Sequence, residues 1–522
     1  MKRVILLLCL CALLPLLRTD SLLAQSVAAP KREMRGVWIA TVANIDFPTK
    51  PTTDTAQLKK QWLLLLDSLS LNGLNAVYFQ IRPSADALYQ TPLAPWSAYL
   101  TGQQGQPLQD NWDPLHFFIE TAHARNMEFH AWMNPYRAIN GPDTTQLAPT
   151  HVFHQHRDWL LFYGNKYYLN PALPQVRQHL AEVVRDVVAR YNIDAIHMDD
   201  YFYPYKVAGE EFPDARDFEA YGAGFRSIDD WRRHNVDTLI QMLYDTIHTV
   251  KPFVEFGISP FSVWRNQDKD PAGSPTRAGQ TNYDDLYADI RKWLKEGWID
   301  YVVPQIYFHI GFEAVDYEKT LRWWHDNSFG KKLYIGLAPY RIGADKAPQW
   351  SEPNQMPRQL RINYSYPDVH GVVYFNARKL LRNPLGFADS LQTTFYRNPA
   401  LWPERNQPSG TILPKPILHR VQRVKGGLKL KWNWPSNPNG LSHLVIYKFP
   451  VGMEPNTALP GAVYRIIPSE QLPKNEFIDA HGLKGQKYLY RISALNWDHL
   501  ESTPSNPVKS HRFSAQSGAS VE

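Results

Sequence analysis

The chain has 522 residues, 20% of them charged and 44% hydrophobic, with a formal net charge of +6. That length exceeds one ordinary domain and predicts a large domain with a smaller companion. The small net charge, with no long basic run, leaves no electrostatic case for a nucleic-acid partner, and 17 Trp and 28 Tyr beside 41 Pro argue for ordered loops with stacking surfaces over disorder.

Residues 1–24 read as a secretory signal. Lys2 and Arg3 form a charged start, Val4 to Leu17 an apolar stretch short for a membrane span, and Ala24 a small residue before a cleavage point. Both cysteines, Cys9 and Cys11, fall inside it, and bulky Leu8 argues against lipoprotein processing at Cys9. The mature chain is therefore expected to be exported, periplasmic or associated with the cell envelope or secreted, without disulfides. No later segment reaches transmembrane length.

From 33 to 397 strand-like and helix-like stretches alternate. Apolar β-rich runs occupy 36–42, 76–81, 128–133, 194–198, 254–259, 301–306, 333–337 and 371–375. Helical spacing of apolar residues marks 58–71, 176–191, 231–250, 286–296, 317–326 and 385–395. Eight strands with helical connections predict an α/β fold, a closed (β/α)8 TIM barrel. An open doubly wound sheet is disfavoured, because no Gly-rich phosphate turn follows an early strand. Residues 398–411 read as a linker. Short strands punctuated by turns from 412 to 510 predict a small all-β sandwich. There the run Tyr488 to Ala494 resembles a late fibronectin type III strand, with Tyr488 as its corner tyrosine and Trp432 as its core tryptophan. The tail, 511–522, is small and polar and reads as disordered.

In a parallel barrel the chemistry sits where strands end. The most informative stretch is Asp194 to Pro204, where an apolar strand runs through His197 into Asp199 and Asp200 and then Tyr201, Phe202 and Tyr203. The other strand ends offer Asn44 and Asp46; Gln80, Arg82 and Asp86; Trp132, Asn134, Tyr136 and Arg137; Ser259 and Trp264; Gln305, Tyr307 and His309; Tyr340 and Arg341; and Asn376 and Arg378. Aromatic faces stack on sugar rings, and Asn, Gln, Arg and Asp pair with hydroxyls, so a neutral polyhydroxylated ligand fits. Glycoside hydrolysis needs two flanking carboxyl groups. Strand parity places Asp199 on the face of His197 and sends Asp200 elsewhere unless the turn swings it in. A second carboxylate is thus sought at Asp46 or Asp86. A metal site on His197 and the two Asp lacks a close second histidine, a serine nucleophile lacks its Gly-x-Ser-x-Gly turn, and His130 reads as a packed core group. No cofactor is implied.

Several blocks resemble the glycosyl hydrolase-like 10 family. They are Glu33 to Thr41, Gln80 to Pro83 with Asp86 to Tyr89, His130 to Arg137, His197 to Pro204, and Pro304 to Tyr307. The resemblance spans roughly 33–390. It implies a barrel and glycan hydrolysis, with peptidoglycan glycan strands freed of stem peptides as the favoured polysaccharide. One position departs from the pattern: His309 stands where the resemblance leads one to expect Glu, and Glu313 in the same loop is its candidate replacement. The expectation is then an exported glycosidase. Asp199 and Asp200 supply acid chemistry with Asp46, Asp86 or Glu313, and Arg82, Trp132, Asn134, Tyr136, Arg137, His197, Tyr201, Gln305, Tyr307, His309 and Tyr340 hold the sugar. The alternatives are a glycan-binding scaffold without turnover and a metal-dependent hydrolase or deacetylase.

Overall fold

The computed structural model describes residues 29–406, 410–472, 474–482 and 486–511. The expected signal, with Cys9 and Cys11, lies outside them, as does the tail from 512 onward. None of the helices among the described residues is long and apolar enough to cross a membrane.

Eight parallel strands close into a barrel. They are β1 (Met34–Ile39), β2 (Ala76–Arg82), β3 (Glu128–Met133), β4 (Ala195–Met198), β5 (Glu255–Ile258), β6 (Tyr301–Val302), β7 (Lys332–Leu337) and β8 (Val369–Tyr374). The β1–β8 pairing, with Met34 opposite Gly371, closes the ring. Strand β6 is far shorter than its apolar run, because Pro304 has no N–H to donate to the ladder.

The helices pack their apolar faces on the outside of this ring. Asp54 opens Thr55–Leu71 by accepting from the N–H groups of Ala56 and Gln57, and Leu58, Trp62, Leu66 and Leu69 are the buried face. The sequence reading overlooked Pro114–His123, although Asp113 caps it and Pro114 begins it. It also overlooked Gln355–Tyr364.

Inside the barrel the packing is partly polar. His130 Nδ1 and His197 Nδ1 both meet the Tyr301 hydroxyl, at 2.8 and 3.1 Å. Gly257 makes room for that ring, since a Cβ there would sit 1.9 Å from Tyr301. His130 is a core group, as the sequence suggested, bound on its other side to Glu128 at 3.0 Å.

The C-terminal strands pair in the order Val463–Pro468, Leu441–Pro450, Tyr488–Asn496, Val508–His511, Ile417–Val424, Gly427–Asn433 and Glu476–Asp479. Trp432 lies in their shared core with Leu444, Tyr490 and Ile492. Tyr488 bonds the side chain of Gln486. It is Tyr490 whose hydroxyl reaches buried Asp479, at 2.6 Å. The stretch read as a linker is a seam. Leu401, Trp402 and Arg405 are buried, Trp402 Nε1 donates to the Asn75 carbonyl at 2.9 Å, and Arg405 pairs with Asp194 at 3.2 Å under the barrel.

Candidate active site

A cleft of about 240 Å³ opens at the C-terminal ends of the strands. Residues at or just beyond seven strand ends line it: Ala40, Val42 and Ile45 after β1, Gln80 on β2, Trp132 and Arg137 at β3, Asp199, Asp200, Tyr201 and Tyr205 after β4, Ser259 after β5, Gln305 and Tyr307 after β6, and Phe375 after β8. Trp38 of β1 also lines it. The strand after which nothing lines it is β7, whose Tyr340 still packs edge-on against Tyr307 with ring centroids 6.0 Å apart.

The two carboxylates stand together in this cleft. Strand β4 ends at Met198, so residue parity stops governing direction one position before the pair, and both side chains face the same space. Asp199 is held by a relay of amides. Gln80 Oε1 accepts the N–H groups of Thr41 and Val42, each at 2.9 Å. That fixes its Nε2 toward Asn134 Oδ1 at 2.6 Å, and so fixes Asn134 Nδ2 toward Asp199 Oδ2 at 2.5 Å. Asp200 is held from the other side, by the Tyr205 hydroxyl on Oδ2 and by Gln305 Nε2 on Oδ1 at 3.3 Å. Burial raises both carboxyls above the usual carboxylate range, and the neighbouring Asp200 charge helps carry Asp199 to about 7. Two neighbouring buried carboxylates do not both ionise cheaply, which favours keeping a proton on Asp199.

The remaining expected residues divide. Trp132, Arg137, Tyr201, Gln305 and Tyr307 line the cleft. The Arg137 guanidinium stacks 4.3 Å from the Tyr201 ring centroid, and it makes no ion pair among the described residues. Trp132 Nε1 is buried without a partner among the described residues. Asn134 acts one layer behind, through Asp199. His197 does not reach the cleft. Trp38 Nε1, which can only donate, lies 3.2 Å from His197 Nε2, so the ring proton sits on Nδ1, facing Tyr301. Burial holds this histidine neutral, and its Nε2 meets two residues that line the cleft, Trp38 and Ser259, the latter at 3.0 Å.

The other three candidate acids serve structure. Asp46 accepts from the backbone N–H groups of Ala40 and Arg378, both at 2.8 Å. Asp86 is buried and accepts from Ser84 N at 3.0 Å. Burial pushes each up to about 6. Glu313 is on the rim, its side chain 88% exposed and paired with Arg277. Arg82 and Tyr136 are buried away from the cleft, in each case with polar atoms that have no partner among the described residues. His309 turns its Nδ1 to the Ile310 carbonyl at 2.9 Å. The residues missed from sequence are Trp38, Tyr205 and Phe375. Tyr205 carried a usable signal, an aromatic one turn past the acids. Among the described residues no group of three His, Cys, Asp or Glu is placed to hold a metal ion.

The family model described as Glycosyl hydrolase-like 10 matches residues 33–352. Glycosyl hydrolase YngK of Bacillus subtilis (strain 168) is 44% identical over 486 residues, covering 92% of this chain and 93% of that protein. Glycosyl hydrolase DigH of Escherichia coli (strain K12) is 38% identical over 365 residues, covering 66% of this chain and 82% of that protein. Among solved structures, the PgaB (BpsB) glycoside hydrolase domain from Bordetella bronchiseptica covers 69% of this chain and 98% of that one. At 13% identity and a TM-score of 0.45 that likeness is too distant to carry an argument.

Proposed function

The chain belongs to the glycosyl hydrolase-like 10 family, and from that premise we propose that it is an exported enzyme cleaving glycosidic bonds in peptidoglycan glycan strands. The observation that carries the proposal is the buried pair Asp199 and Asp200, both carboxyls raised by burial, in an aromatic-walled cleft at the strand ends. A carboxyl that keeps its proton near neutral pH can give it to a leaving glycosidic oxygen. Trp132, Tyr201 and Tyr307 offer ring faces to a sugar, while Arg137 offers donors.

Arg137 supports the peptidoglycan reading. A guanidinium that lines the cleft within the field of Asp199 and Asp200, but in no ion pair among the described residues, suits a sugar that itself bears a carboxylate, such as the lactyl group of N-acetylmuramic acid once its stem peptide is gone. The seven-stranded C-terminal region serves, as a fibronectin type III-like domain, as a spacer or second glycan contact.

The test is release of new reducing ends from purified glycan strands, with and without stem peptides, and with and without chelator. Cleavage of peptide-free strands that survives chelator and disappears in Asp199→Asn and Asp200→Asn supports the proposal. Pull-down on the glycan with no release by the wild-type protein refutes it in favour of a binding scaffold. Chelator-sensitive release would point to a metal-dependent hydrolase.

A further inference from the structure

We propose that the nucleophile in this cleft is the substrate's own 2-acetamido group, which restricts cleavage to bonds whose C1 belongs to an N-acetylated amino sugar. The inference rests on the glycosidase reading above and specifies its chemistry.

An enzyme nucleophile must sit about 5–5.5 Å from the acid across the scissile bond, and a base that activates water about 6.5–9.5 Å away. Strand β4 supplies both acids of the cleft from one stretch of chain. In the ring of eight strands β8 is the one across from β4, with β1 beside it. The cleft residues from there are Trp38, whose Nε1 is taken up by His197, and the apolar Phe375, Ala40, Val42 and Ile45. The acid nearest in sequence to that wall is Asp46, and it is spent on two backbone N–H groups. Among the described residues, then, no carboxylate lines the cleft opposite the pair. What faces the pair is a hydrocarbon surface suited to an acetyl methyl group. On β3, next to the pair, Trp132 lines the cleft, and its buried Nε1 has no partner among the described residues.

The chemistry balances without any group from outside. The proton held by the carboxyl pair passes to the glycosidic oxygen, and the C1–O bond breaks with its electron pair on that oxygen. The acetamido carbonyl oxygen bonds to C1, closing a five-membered oxazolinium ring. The ionised partner of the pair accepts a hydrogen bond from the amide N–H and offsets its positive charge. Water then attacks C1, the bond from C1 to the carbonyl oxygen breaks, the amide is restored, and the water's proton returns to the carboxylate that gave one up. C1 is inverted twice, so its configuration is retained.

The test uses one peptide-free glycan of alternating N-acetylglucosamine and N-acetylmuramic acid. It is N-deacetylated and re-acylated with acetyl, difluoroacetyl or trifluoroacetyl groups, which differ little in size but greatly in carbonyl nucleophilicity. The full-length protein is assayed for new reducing ends, and the anomer first released is read by NMR. An intramolecular nucleophile is worth orders of magnitude in effective concentration. The rate is therefore expected to fall by about 100-fold or more from acetyl to trifluoroacetyl, with KM nearly constant and configuration retained. A thiazoline fused across C1 and C2 of N-acetylglucosamine is expected to compete with substrate. Equal rates across the acyl series, or an inverted product, would overturn the inference and leave the glycosidase reading standing. No cleavage of the acetylated strand overturns both.

Discussion

The hydroxyl of Tyr205 is the sharpest handle on the acid pair. It donates to Asp200 Oδ2, and a hydrogen bond to a charged group contributes about 1.5–3 kcal/mol. At 1.36 kcal/mol per pKa unit, that is about 1–2 units of stabilisation for the ionised form of Asp200. Tyr205 is 38% exposed, so in Tyr205→Phe water recovers part of the loss, and about one unit is the expected change. The sign follows from which states carry charge on Asp200. The working form has one proton on the pair. Losing the hydroxyl raises the energy of the working form and of the doubly ionised form alike, but not that of the doubly protonated form. The first ionisation therefore moves up while the second, near 7 where Asp199 loses its proton, stays. In a pH profile of kcat/KM on peptide-free glycan, the acidic limb is expected to shift upward by about one unit and the alkaline limb to hold, narrowing the bell. An unmoved acidic limb, with thermal stability unchanged, would refute the assignment of Asp200 to the working pair.

Three further outcomes test the division of the acids and the seam. Asp86→Asn is expected to keep kcat/KM within about threefold of wild type, where Asp199→Asn loses about 10²–10⁴-fold; comparable losses would return Asp86 to the chemistry. Asp46 is raised from 3.8 to about 6 in the fold, so the stability it contributes is present below 3.8 and is lost as pH rises through 6. Denaturant titrations of Asp46→Asn should accordingly lose pH dependence in that window. Arg405→Ala removes the buried guanidinium that faces buried Glu128 and half-buried Asp194 at the seam and leaves them only their histidine partners, His130 and His499 for Glu128 and His123 for Asp194. It should cost about 3–5 kcal/mol in chemical denaturation, with kcat/KM unchanged at low temperature, because the seam lies at the opposite end of the barrel.

The barrel was legible because strand and helix periods alternate with unambiguous apolar patterns, and β3 and Tyr317–Asp326 fall where the periodicity puts them. The cleft was legible in kind, since its wall residues come from the strand ends that chain order identifies. What sequence could not separate was an acid that faces the cleft from one that ties down a loop. Asp46 and Asp86 follow strand ends as Asp199 does and, like it, accept backbone N–H groups of neighbouring turns, but neither lines the cleft. That distinction depends on loop paths. His197 misled for a different reason. Its strand position was read as a position in the cleft, whereas a barrel interior has depth, and it is fully buried behind the lining residues Trp38 and Ser259.

The same depth explains how two adjacent acids are held without regular structure. Of the aromatics that follow them, Tyr201 and Tyr205 line the cleft with ring centroids 5.3 Å apart, while Phe202 and Tyr203 turn the other way. Phe202 packs edge-on against Trp293 at 5.2 Å, and Tyr203 against Tyr287 at 5.0 Å. Both are about 1% exposed, and each anchors the loop in the layer between barrel and helices. A strand would have turned one of the two acids away from the cleft. A loop without anchors would have let them swing apart and lose the coupling that keeps a proton near neutral pH. Replacing Phe202 with Ala should therefore lower kcat more than the lost core packing explains. It should also drop the alkaline limb of the pH profile as Asp199 relaxes toward solvent. A profile that keeps its shape in Phe202→Ala would show that the pair is held by its hydrogen bonds alone.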